Sequence, residues 1–301
     1  MTTAEIKEMA TKYIMNTYGD RQLALVRGEG PYVWDAEGNK YLDFLSGIAV
    51  NGLGHCHPKV VEAIRNQAGK LMHVSNLYYI EPQAKLAKLM IDNSDLDQCF
   101  FCNSGDEENE AAIKIARKYA VDKGRSSAYE IITMHDSFHG RTMATITATA
   151  QTKYHKGFEP MLPGFSYVPF DDLDTVAKAI TSQTCAILVE PIQSEGGVNV
   201  PGEGYLEGLR EMCDQHDLLL IFDEMQTSPG RLGAFFGYQT YGVIPDVLTM
   251  AKFLGGGTPI GAMLAKKEVA ESFVPGTHAA TFGGKPLVTA AALATLETIV
   301  E

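Results

Sequence analysis

The stretch LLLIFDE at residues 218–224 decides the fold. Its apolar residues, Leu218 to Phe222, run straight into two carboxylates, Asp223 and Glu224. A short unbroken apolar run marks a strand covered on both faces, whereas a half-exposed strand alternates apolar with polar residues. The stretch VLTMAKFLGGG at 247–257 repeats the pattern: a buried strand ends, Lys252 follows, and three glycines come next. Strands of the same kind are expected at Cys99 to Cys102, Ile131 to Met134, Ala186 to Val189 and Ala262 to Ala265. Between them lie amphipathic stretches. Pro58 to Leu71 and Pro82 to Ile91 read as helices with proline in the first turn. Glu107 to Val121 is a strong helix with Ala112, Ile115, Ala116 and Tyr119 on one face, and Leu173 to Ile180, Tyr205 to Gln215 and Pro286 to Val300 are further helices. The alternation implies an α/β fold with a mostly parallel central sheet and helices on both faces. In such sheets ligands collect beyond the carboxyl ends of the strands, where Asp223 and Lys252 lie.

The 301 residues suffice for a large core, and 45% hydrophobic with 21% charged residues is an ordinary globular balance. A net charge of −12 argues against nucleic acid or an anionic membrane as partner. The N-terminus has no basic or apolar signal region, and the apolar run at 218–222 is too short to span a bilayer. Five scattered cysteines suggest reduced thiols and a cytoplasmic address. Residues 32–43 read as a hairpin turning at Glu37-Gly38-Asn39, so residues 1–50 are assigned to a small lobe and 51–301 to a large domain.

A lone lysine is usually a surface residue, and a strand-end carboxylate is often merely solvated. Here Lys252 sits between apolar residues, where its amine can lose its proton and act as a nucleophile. The glycines after it match neither a dinucleotide fingerprint, since Ile260 takes the third glycine's place, nor a phosphate loop with Gly-Lys-Ser/Thr. Pyridoxal 5′-phosphate (PLP) would account for both residues. It needs a lysine for its aldehyde, a carboxylate at its ring nitrogen, a helix N-terminus for its phosphate and an aromatic face. The turn Ser104-Gly105-Asp106, opening the helix at Glu107, is the phosphate candidate; Phe138 is the aromatic, and Arg141 could clamp a substrate carboxylate. Cys99 and Cys102 form a lone C-x-x-C on a strand, which carries no metal site.

Taken together, the chain resembles the class III (fold type I) PLP-dependent aminotransferases, most of all the branch acting on N-acetylornithine. The resemblance rests on RGEGPYVWDAEGNKYLDFLSGIAVNGLGHCHP at 27–58, FFCNSG and NEAAIKIARKYA between 100 and 120, FHGRTMATITAT at 138–149, EPIQSEGGV at 190–198, IFDEMQT at 221–227, PDVLTMAK at 245–252 and GTHAATFGGKPL at 276–287. It implies transfer of an amino group from N-acetylornithine, or a similar ω-amino acid, to 2-oxoglutarate. It implies that Lys252 forms the Schiff base and shuttles the proton, and that Asp223 pairs with the ring nitrogen. Gln226 would meet the phenolic oxygen, with Glu224 beside it, and Ser104, Gly105 and Asp106 would hold the phosphate under Phe138. Arg141 would take the substrate α-carboxylate, Glu195 would switch between the two substrates, and Ala280 would lie near substrate. Thr281 would reach the neighbouring subunit's phosphate, so a homodimer with shared sites is expected; the family's C-terminal small domain is expected to be absent from this chain, leaving the small lobe incomplete.

Two departures stand out. Asp106 replaces a small residue; a carboxylate suits a helix N-terminus, yet it competes with a phosphate. Two like charges ~5 Å apart repel by roughly 3 kcal/mol at an effective dielectric near 20, about a hundredfold in affinity. Phe253 is expected to crowd Lys252. The alternative readings are a truncated or diverged non-catalytic relative that binds PLP weakly, or another class III ω-aminotransferase; the acids at 106–110 are equally readable as a solvated helix start.

Overall fold

The computed structural model describes residues 1–301. A capping box between Thr2 and Glu5 opens helix α1 (Thr3–Tyr13), which the sequence reading did not anticipate. Three antiparallel strands follow: β1 (Leu25–Glu29), β2 (Tyr32–Asp35) and β3 (Lys40–Leu42). The expected hairpin is β2–β3. Asp35 fixes its turn by accepting the N–H groups of Glu37 (3.1 Å) and Asn39 (2.8 Å), and Gly38 supplies the positive φ of +88°. A short bridge between Gly30 and His55 joins this sheet to the chain after residue 50. The helical turn α2 (Ser46–Ala49) and the helices α3 (Pro58–Ala68) and α4 (Glu81–Asp92) lead into the main sheet.

That sheet has seven strands: β4 (Gln98–Cys102), β5 (Glu130–Met134), β6 (Phe165–Val168), β7 (Thr184–Val189), β8 (Leu219–Asp223), β9 (Val247–Met250) and β10 (Gly261–Ala265). Their order is β4-β10-β9-β8-β7-β5-β6. Only β10 runs against its neighbours, β4 and β9; the other pairings are parallel. The edge strand β6 was not expected, because Phe165-Ser-Tyr-Val168 is short and only half-buried over its first three residues.

The connecting helices are α5 (Gly105–Asp122), α6 (Met143–Ala148), α7 (Leu173–Ala179), α8 (Tyr205–His216), α9 (Gly237–Tyr241), α10 (Lys267–Ala270) and α11 (Pro286–Val300). The pleat divides the buried residues between two faces. Leu220 and Phe222 of β8, with Ile187 and Val189 of β7, pack in the cluster that also holds residues of α4, α7, α8 and α11. Their neighbours Leu219, Ile221, Ala186 and Leu188 pack in the opposite cluster with α5, α6 and α10. Every residue of β7, β8, β9 and β10 is buried, which is why these strands read as unbroken apolar runs.

Candidate active site

Five strands running in one direction end around one hollow. Gly105 and Asp106 follow β4, Phe138 and His139 follow β5, Glu190 follows β7, Gln226 follows β8 and Lys252 follows β9. All seven line a cavity of about 350 Å³. Residues more than 140 positions apart meet here because parallel strands bring equivalent ends to one edge.

Asp223, at the last position of β8, lies directly behind this wall, and its side chain is 1% exposed. Its Oδ2 accepts hydrogen bonds from Asn109 Nδ2 (2.7 Å) and His139 Nδ1 (2.8 Å), and its Oδ1 accepts the Met225 N–H (3.1 Å). A carboxylate offers about four acceptor positions, so three donors leave one, on Oδ1. Asn109 uses three of its four positions. It donates a second bond to the His139 carbonyl (2.8 Å) and accepts one from Thr249 Oγ1 (2.7 Å). His139 Nε2 is buried without a partner.

Lys252 starts a short 3₁₀ turn at φ +33°, a conformation that strains a side-chain-bearing residue. Burial holds its amine below the usual lysine range, opposed by the charges of Asp223, Glu195 and Glu190. Phe253 does not crowd it. Its ring packs on Gly52, where a Cβ would fall 2.4 Å from the ring carbons; consecutive residues of the turn point in different directions, and a glycine opposite gives the ring its space.

Ser104 caps α5, accepting the Glu107 N–H at 3.3 Å. The N–H groups of Gly105 and Asp106 take no backbone partner and remain directed outward at the helix start. The Asp106 carboxyl turns neither to solvent nor into the cavity's centre. Its Oδ2 accepts the Arg141 N–H at 3.2 Å, and it lies against Gly140, where a Cβ would be 2.6 Å from Oδ1. Burial raises its pKa, opposed by the Arg141 N–H and guanidinium and reinforced by Asp223 and Glu107.

Six expected residues do not line the cavity: Asp223 lies just behind it, Arg141 at its rim, and Glu224, Glu195, Ala280 and Thr281 lie elsewhere. Glu224 is fully buried and faces away. It accepts the N–H groups of Gly237 and Tyr238 (both 2.6 Å) at the start of α9, and the Ser228 hydroxyl. Strand alternation sends it to the side opposite Asp223, and burial pushes its pKa up to about 7. Glu195 is exposed on the loop after β7 and meets Lys252 only through its charge. Ala280 and Thr281 line a different cavity, beside Tyr78 and Tyr79.

Arg141 lies at the rim, exposed, its guanidinium 5.4 Å from the Phe138 ring centre. Sequence reasoning missed Asn109, His139 and Glu190. Glu190 is 6% exposed and accepts the Phe138 N–H at 3.1 Å; burial pushes its pKa up to about 7. The signals were present, since Asn109 is four residues past Gly105 on α5, His139 follows Phe138, and Glu190 ends the β7 run.

Residues 13–301 match the family model described as aminotransferase class-III. The acetylornithine aminotransferase of Methanocaldococcus jannaschii is 52% identical over 98% of this chain and 74% of its own length. The N-acetylornithine aminotransferase of Stenotrophomonas maltophilia K279a superposes with a TM-score of 0.82 at 40% identity, covering 98% of this chain and 71% of that one. An ornithine aminotransferase structure from Toxoplasma gondii, reported with partial occupancy of PLP at its active site, gives a TM-score of 0.94 at 34% identity, over 99% and 71% of the two chains.

Proposed function

Since the chain belongs to the class-III aminotransferases, we propose that the hollow at the strand ends is where this PLP-dependent enzyme moves an amino group from N-acetylornithine, or a similar ω-amino acid, to 2-oxoglutarate. Relatives of that name at about 50% identity support the substrate. The fold is that of the PLP-dependent transferases of fold type I.

The residues present suit the cofactor. The observation that carries the reading is the hydrogen-bond count at Asp223: three neutral or chargeable donors hold it, and one acceptor position stays open for a ring N–H. A carboxylate that accepts the ring N–H favours the protonated pyridine, and the open position on Asp223 Oδ1 suits that role. Bound there, the ring supplies the electron sink that stabilises negative charge at the substrate carbon. Lys252 makes no hydrogen bond, and burial holds its amine below the usual lysine range. It would hold the cofactor through its amine and would serve as the base that moves a proton at the substrate carbon. The outward N–H groups of Gly105 and Asp106, at the positive end of α5, suit a phosphate. Phe138 offers its face, Gln226 a polar contact, and Arg141 a planar cation for a carboxylate.

Asp106 favours a second reading, in which the same chain binds PLP weakly, because a carboxyl shares the phosphate's turn. The placement of Thr281, Ala280 and Glu195 away from the cavity suits a homodimer in which a second chain completes each site. Residues 1–50 remain the proposed small lobe and 51–301 the large domain. No helix is long and apolar enough to cross a membrane; five free thiols suit a cytoplasmic location.

The deciding experiment adds PLP to the purified protein and treats it with borohydride. Permanent attachment of the cofactor to the peptide carrying Lys252, with conversion of N-acetylornithine and 2-oxoglutarate before reduction, is expected. Attachment elsewhere, or none, would refute the assignment.

A further inference from the structure

Tyr154 ends the 3₁₀ turn Thr152–Tyr154, just beyond the segment FHGRTMATITAT at 138–149. Its ring nevertheless meets two residues of the site. Phe138 lies edge-on to it at 5.9 Å between ring centres, with an interplanar angle of 84°. The Arg141 guanidinium carbon stands 4.0 Å from the centre of the same ring, closer than to Phe138. This guanidinium makes no hydrogen bond and no ion pair, so its five N–H directions are uncommitted. Lys153 also approaches the ring, its amine 4.8 Å from the centre.

The turn is fastened on both sides. Gln151 Nε2 donates to the Ser137 carbonyl at 2.9 Å and the Asp136 carbonyl at 3.3 Å, immediately before Phe138. The buried His155 ring places Nε2 at 2.9 Å from the Ile146 carbonyl and 2.8 Å from the Thr149 carbonyl, at α6. Tyr154 is therefore a fixed platform.

We propose that Tyr154 is a positioning residue that holds the Arg141 guanidinium by its face and so sets the enzyme's preference for amino donors that carry a carboxylate. A guanidinium stacked on an aromatic ring keeps its edge free, and that edge is the part that grips a carboxylate through two parallel hydrogen bonds. Without the ring, Arg141 is a long exposed side chain that must be immobilised when substrate arrives, which costs affinity. The inference deepens the aminotransferase reading and rests on it for the role of Arg141.

The test compares the PLP-loaded parent, Tyr154→Ala and Tyr154→Phe in the first half-reaction. The donors are N-acetylornithine and N-acetyl-1,4-diaminobutane, which is the same chain without the carboxylate. Tyr154→Ala is expected to lower the second-order rate constant for N-acetylornithine by roughly fivefold, the factor that corresponds to a cation–π contact of about 1 kcal/mol. The loss should lie in substrate binding, while the rate constant for the donor without a carboxylate stays within about twofold and Tyr154→Phe behaves as the parent. Equal losses for both donors, or none for either, would overturn the proposal. A parent inert toward N-acetylornithine would instead refute N-acetylornithine as the donor. Calorimetric binding of glutarate to the borohydride-reduced protein then decides separately on Tyr154: weaker binding in Tyr154→Ala supports the proposal, and unchanged binding overturns it.

Discussion

Lys252 and Asp106 are the residues on which cofactor binding turns, and both are decided by local surroundings. Lys252 has a positive φ, lies half-buried and lacks a hydrogen-bonding partner. In Lys252→Ala the attachment of PLP by borohydride should disappear and turnover fall by at least about a thousandfold, the combined loss of a nucleophile and a proton carrier. Mass analysis and a coupled glutamate assay read both. Asp106 shares the phosphate turn with Gly105, but its bond to the Arg141 N–H draws its charge toward Gly140. Asp106→Ala should tighten PLP binding by up to about a hundredfold at pH 8. Burial raises the Asp106 pKa, while Arg141 opposes and Asp223 and Glu107 reinforce that rise. The neutral form therefore persists to higher pH than in a free aspartate. The advantage of the variant should shrink as pH falls through that raised value, and fluorescence titration with PLP at several pH values would show it. A parent and variant with equal, tight affinity would mean the carboxyl is fully diverted.

Helix α5 shows how much an element discloses and what it withholds. The spacing of Ala112, Ile115 and Ala116 gave its buried face, and all three are buried. The same spacing places 108 one turn before 112, so periodicity alone puts Glu108 on the covered face. Reading the acids at 106–110 as a solvated start let residue type outweigh period, and for Glu108 the structure follows the period. Glu108 is 0% exposed; its Oε1 accepts the Cys102 N–H and its Oε2 has no partner. Asn109 was overlooked for a related reason. An amide belongs to no catalytic pattern by itself, and its partners Asp223 and Thr249 are over 100 residues away. Burial raises the Glu108 pKa well above its ordinary value, partly countered by Cys102 and reinforced by Glu107. The folded protein thus holds a proton that the unfolded chain releases above pH ~4.5. The resulting stability is complete below that pH and is lost as pH rises toward the folded pKa. Glu190 and Glu224, both pushed up to about 7, act in the same direction. Glu108→Gln keeps an acceptor for Cys102 and cannot ionise. It should match the parent near pH 5 and exceed it by roughly 1–3 kcal/mol at pH 9 in urea titration. Parallel stability profiles across that range would show that ionisation of Glu108 does not set the pH dependence.

For the whole molecule, strand order explains which site residues meet in one chain and which do not. The apolar runs of β8 and β9 and the residues after them foretold the edge where Lys252 and Asp223 gather, since a parallel sheet has one carboxyl end. Ala280 and Thr281 lie on the long loop after α10, and no period or run locates a loop. They open instead on a cavity beside Tyr78 and Tyr79. That surface is apolar and bare: Leu77 is 87% exposed, Tyr79 is fully exposed, and Phe282 is 64% exposed with its ring 5.2 Å from His73. Exposed aromatic and aliphatic residues gathered on one face mark a contact surface. A two-fold dimer built there would carry Thr281 of each chain toward the other. Mixing two inactive variants tests the sharing directly. Lys252→Ala lacks the nucleophile, and Thr281→Glu sets a negative charge where a phosphate is expected. If each site takes Lys252 from one chain and Thr281 from the other, a mixed dimer holds one doubly altered site and one unaltered site. An equimolar mixture, unfolded and refolded together, should then recover about a quarter of the parent activity, because half the dimers are mixed and each has one intact site. If Lys252 and Thr281 served the same chain's site, every site in the mixed dimer would carry one lesion and no activity would return. Sedimentation of Tyr79→Glu gives the second reading: a shift from dimer to monomer is expected, and an unchanged dimer would place the contact on another face.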